Sequence, residues 1–177
     1  MADYFPGEIR IGGKVPAALL EEFLGEATST GALVGDYEGS PFDAKTAEQL
    51  REALDENGHL KLVDAEARYG MFEELEGLLC EHDIPFDRHS DARYEFDSEN
   101  VVLRPGMDRP LETPSNNNGD TLVRVDEIRP VAKELARLAT AKMANDELLA
   151  AVSKLSKELH DLLPPEVEPL PRLTIVE

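Results

Sequence analysis

The chain has no tryptophan, a single cysteine and four histidines in 177 residues. Cys80 alone cannot form an internal disulfide or a multi-cysteine zinc site, which excludes the disulfide-stapled secreted scaffolds. No apolar run approaches the roughly 18 residues of a membrane-spanning helix. Residues 1–8, Met-Ala-Asp-Tyr-Phe-Pro-Gly-Glu, carry neither the basic segment nor the apolar stretch of a secretory signal. The cytoplasm is therefore the expected compartment.

Catalytic signatures are missing as well. No Gly-x-Gly-x-x-Gly, Gly-x-Ser-x-Gly or His-Glu-x-x-His occurs, so the common nucleotide, acyl-transfer and zinc-protease motifs are absent. Residues 7–14, Gly-Glu-Ile-Arg-Ile-Gly-Gly-Lys, have the outline of a phosphate loop. Glu8 stands where that loop needs glycine, and Val15 where it needs Ser or Thr for magnesium, so a strand-ending turn is expected instead. No cofactor is expected.

Positive charge is scarce: 18 Lys and Arg face 37 Asp and Glu, a formal charge of −19. Such a chain repels phosphate backbones and anionic headgroups over a Debye length, so neither direct nucleic-acid binding nor membrane binding is expected. Residues 1–83 hold 19 acidic against 6 basic side chains, which places the excess in the N-terminal half.

Apolar residues make up 41% of the chain, a globular composition. Ile9 and Ile11 alternate as one strand face before Gly12-Gly13; Pro16 suits a first helical position, and Ala17, Leu20, Phe23, Leu24 and Ala27 recur at helical spacing up to Gly31. A short strand is expected at 32–34. A second helix opens at Asp43 or Thr46, with Thr46 and Gln49 at capping-box spacing, and ends at Asn57-Gly58. Residues 59–63 read as a strand, and Met71, Phe72, Leu75, Leu78 and Leu79 as a helix finishing near His82. Short strands follow at 84–86, 93–96 and 101–106. This order predicts an α+β fold with helices on one face of a small mixed or antiparallel sheet, a ferredoxin-like sandwich by best match, over residues 1–106. Residues 107–121, with three successive asparagines, are expected to be a flexible connector to a third segment, 122–177.

In that third segment a long helix is expected over about 130–163. Leu138, Asn145, Val152 and Leu159 fall at heptad position a, and Ala141, Leu148, Leu155 and Leu162 at d, a pattern compatible with a two-stranded coiled coil in which Asn145 fixes register. Packing within its own domain is the competing reading, since Leu149 and Leu163 widen the apolar stripe. The residues proposed for homodimerisation are Asn145, Leu148, Val152, Leu155 and Leu159. The tail Arg172-Leu-Thr-Ile-Val has strand composition and would complete a sheet edge of its own domain or of a partner.

Two chemistries compete for function. Asp87, His89 and Asp91 would share one side of an extended chain, where two carboxylates and an imidazole suit a divalent metal or a base with its orienting carboxylate. Arg93 or Arg104 would then hold an anionic substrate of a metal-dependent hydrolase. Surface ion pairing explains the same residues without catalysis. Glu73, Glu74 and Glu76 belong to an acidic helix face that suits a basic protein partner, as in an inhibitor, an immunity protein or a DNA mimic. The expectation is a non-enzymatic acidic interaction protein, ahead of the hydrolase and of a structural subunit assembling through its C-terminal helix.

Overall fold

The computed structural model describes residues 3–93 and 95–177, and it divides into two compact units. The first comprises residues 3–121 with Val167–Glu177; the second is Leu122–Glu166, so the chain leaves the first unit after Thr121 and returns to it at Val167. No helix among the described residues is long and apolar enough to cross a membrane.

The fold of the first unit is mixed α+β. Its elements are β1 (Tyr4–Ile11), β2 (Lys14–Pro16), a 3-10 turn leading into α1 (Leu20–Ser29), β3 (Leu33–Val34), α2 (Ala47–Glu52), β4 (Leu60–Arg68), α3 (Glu73–Glu81), β5 (Phe86–Ser90), β6 (Glu99–Leu103), β7 (Leu111–Pro114) and, in the returning tail, β8 (Thr174–Val176). Six strands form one sheet in the order β3-β4-β1-β5-β6-β7, and every pairing in it is antiparallel. The period-2 alternation of β1 sets its register: Ile9 lies opposite Leu62 and Arg88, and Ile11 opposite Leu60 and Phe86.

Those apolar side chains are fully buried in one core cluster with Phe23 and Leu24 of α1 and Leu75 and Leu79 of α3. The two helices pack on each other. Burial of each such side chain stabilises the fold by roughly 1.5–3 kcal/mol, which is what holds two short helices on the sheet. Thr46 caps α2 as its spacing predicts, accepting the Gln49 amide at 3.3 Å.

Three expectations are revised. Residues 107–121 carry β7, paired with β6, and a closed turn in which Asn116 Oδ1 accepts the amides of Asn118 and Asp120. The asparagines that suggest a connector thus bond their own backbone, as Asx turns do. Residues 93–96 form a two-way bridge between Arg93 and Phe96 rather than a strand; Tyr94, within that expected strand, lies outside the described residues. The tail strand joins no edge of the six-stranded sheet. β8 instead pairs in parallel with β2, Val15 opposite Ile175, as a separate two-stranded sheet.

The tail is fixed by close approach. The Gly13 amide donates to the Pro171 carbonyl at 3.0 Å, the Leu173 amide to Gly58 at 2.8 Å, and Arg104 Nε to Glu168 at 2.7 Å. A side chain at Gly12 would collide with the Pro171 carbonyl. The doubled glycine after β1 is therefore a seat for the tail.

The second unit is a pair of helices, α4 (Val125–Leu138) and a long C-terminal helix, α5 (Asn145–Leu162), in contact with each other. The single helix expected from 130 is interrupted over residues 139–144, and α4 begins before Pro130. Val131, Leu138 and Leu155 are buried between them, with Leu135, Leu148, Leu159 and Leu162 packed around. Helix pairing within the chain thus uses Leu138 and Leu159 at a as well as Leu148, Leu155 and Leu162 at d, whereas Val152, also at a, remains 40% exposed and Asn145 merely begins α5.

Candidate functional site

Antiparallel pairing of β5 with β1 puts Asp87 opposite Arg10 and His89 opposite Glu8, so both face away from the core residues Phe86 and Arg88. Past the strand end, Asp91 Oδ1 lies 3.3 Å from His89 Nε2, while Asn100 Oδ1 on β6 lies 2.9 Å from His89 Nδ1. Asn100 donates its amide to the Gly119 carbonyl at 2.8 Å, which fixes its oxygen toward the imidazole. His89 thus bridges a carboxylate and an amide oxygen, while Asn100 ties the 116–121 turn to the sheet.

Asp87 is not part of that pair. Its Oδ1 lies 2.6 Å from Arg104 Nη1 but without the alignment of a hydrogen bond, so the contact is Coulombic. Arg104 spends its directed donors on the carbonyls of Phe86, Leu103 and Glu168. Arg93 donates to the Tyr4 carbonyl at 2.7 Å. Among the described residues no group of three or more His, Cys, Asp and Glu side chains is disposed to hold a metal ion. Asp87, His89 and Asp91 therefore divide into one ion pair and one histidine bridge.

The acidic residues have a clearer arrangement. The first unit holds 29 Asp and Glu against 11 Lys and Arg, while the second is nearly balanced at 8 against 7. α1 and α3, which touch, contain no Lys or Arg. Glu21 and Glu22 on α1 and Glu73, Glu74 and Glu81 on α3 are exposed. Glu73 meets Arg68 at 3.6 Å, a loose pair at the surface. Glu76 departs from the expected face: it turns inward to cap α3 through the Phe72 amide and to pair with Arg88 at 3.1 Å. Its i+3 spacing from Glu73 conceals this, because Arg88 lies in a distant strand.

The charge also acts on neighbouring groups. Partial burial pushes the Tyr37 hydroxyl up from its ordinary range, and the carboxylates of Asp91, Glu8 and Asp64 add to the effect. Burial, with help from Glu76, likewise raises the Cys80 thiol, so this exposed cysteine lacks the thiolate character of a nucleophile.

No protein-family model matches the sequence, and no curated protein and no solved structure matches it.

Proposed function

We propose that the protein is a non-enzymatic interaction module of the cytoplasm that uses the acidic surface of its first unit to bind a basic protein partner, in the manner of an inhibitor, an immunity protein or a DNA mimic. One observation carries this reading: nearly all the excess charge belongs to the first unit, and two touching helices, α1 and α3, present carboxylates without a single basic side chain. Such a field steers a cationic partner and rejects anionic ones. We also read the first unit as a ferredoxin-like sandwich; with β2 and α2 taken as insertions, the order β1-α1-β3-β4-α3-β5 with sheet order β3-β4-β1-β5 supports this, β6 and β7 being additions at one edge.

Capture from extract of the producing cells tests the reading. Wild-type protein should retain a basic protein stoichiometrically at low salt and release it at high salt, and Glu21→Lys/Glu22→Lys/Glu73→Lys/Glu74→Lys should retain none. Equal retention by both would remove the proposal.

A second reading, assembly through α5, draws support from Leu149 and Val152, which are 69% and 40% exposed on that helix. The hydrolase alternative would require Asp87 to leave Arg104 before a metal could be shared with His89 and Asp91.

A further inference from the structure

Phe5 on β1, Tyr69 after β4 and Phe96 in the 93–96 bridge are far apart in sequence but meet in the first unit. The Phe96 centroid lies 5.6 Å from that of Phe5 and 5.7 Å from that of Tyr69. Tyr69 reaches this place through a left-handed backbone, φ 55°, a conformation costing a non-glycine residue about 1 kcal/mol, and its amide is tied to the Asp3 carbonyl at 2.8 Å. Gly70 follows at φ 66°, where any side chain would strike the Phe5 ring and Ser90.

These rings wall an open cleft of about 540 Å³. Glu95, Asp97 and Glu112 on its rim are exposed, and among the described residues no Lys or Arg lines it. Ser98 at its floor is already satisfied by Ser115 and the Ser90 carbonyl. Three features thus converge in one cavity: apolar walls, aromatic rings and exposed carboxylates, Glu95, Asp97 and Glu112, with no ion-pair partner among the described residues. Arginine matches all three, since its methylenes pack on apolar surface while its planar guanidinium stacks on rings and pairs with carboxylates. The protein's own Arg68 already makes the ring contact, 5.6 Å from the Tyr69 centroid.

We propose that this cleft receives an arginine side chain of the basic partner. The inference rests on the function proposed above and names where such a partner would anchor.

The test is an amide NMR titration of the full chain at low salt with hexa-arginine and with hexa-citrulline, its uncharged counterpart of similar shape. Hexa-arginine should shift the amides of residues 69, 95–99, 112 and 113, and hexa-citrulline should shift none of them. Phe96→Ala should weaken hexa-arginine about three- to thirtyfold, the range of a ring–cation contact. Glu95→Gln/Asp97→Asn, which alters only exposed carboxylates, should weaken it comparably and keeps the test valid where Phe96→Ala disturbs folding. Salt-sensitive binding that shifts α1 and α3 alone, unchanged in both variants, overturns the cleft but leaves the acidic-surface reading intact. No binding of hexa-arginine at any salt concentration overturns both.

Discussion

Arg88 Nη2 lies 2.6 Å from Glu99 Oε1 and its Nε lies 3.1 Å from Glu76 Oε1, with the guanidinium-bearing side chain 3% exposed on the core side of the sheet. One buried cation thus joins α3, β5 and β6. Gly70 contributes its carbonyl to the same guanidinium at 3.4 Å. The site is costly to disrupt because removing the cation leaves Glu76 unpaired at 15% exposure.

Arg88→Leu should therefore lower stability by about 2–4 kcal/mol, less than for a fully buried triad because Glu99 is open to solvent screening. Urea denaturation checks this, and an unchanged midpoint would show that the ion pairs contribute nothing.

Gly12→Ala places a methyl group against the Pro171 carbonyl. Overpacking of this kind costs about 1–3 kcal/mol, and here the tail is the element free to yield. Hydrogen exchange should accelerate at Leu173 and Thr174, whose amides donate to Gly58 and Gly13, while β1 amides paired with β4 stay protected.

Leu155→Ala and Val152→Ala separate the helix pair from a coiled-coil seam. Leu155 is buried against α4 and its truncation should cost about 2–4 kcal/mol, whereas exposed Val152 should change stability by less than about 0.5 kcal/mol. Far-UV circular dichroism through denaturation gives both values, and equal losses would favour a heptad seam.

The Cys80 thiol, raised by burial and by Glu76, carries less thiolate at pH 8 than a free cysteine. Its alkylation by iodoacetamide should be slower than that of glutathione at pH 8 and should keep rising with pH beyond the point where glutathione levels off. For a thiol raised in the folded state, the associated stability is present below the unfolded value and lost as pH climbs through the folded one. Alkylation at the free-thiol rate would contradict the assignment.

Local patterns carried much of the fold. Alternation at Ile9 and Ile11, helical spacing at Leu75, Leu78 and Leu79, and the Thr46 cap each act within a few residues, so they were readable without knowing the neighbours. The single long helix is interrupted for a physical reason: heptad spacing across 138–145 continues on paper through residues 139–144, where the helix stops and the chain folds back. Arg88, Glu76 and Glu99 were opaque because their pairing depends on sheet order. The aromatic cleft was opaque likewise, since Phe5, Tyr69 and Phe96 converge only after β1 is paired and Tyr69 turns left-handed.

The most direct measurement is low-salt and high-salt capture by the wild type and by the four-fold Glu→Lys variant of α1 and α3, with bound proteins identified by mass spectrometry. One basic protein should be retained stoichiometrically by the wild type at low salt and be absent from the variant. A partner retained equally by both, or one held unchanged at high salt, would contradict it.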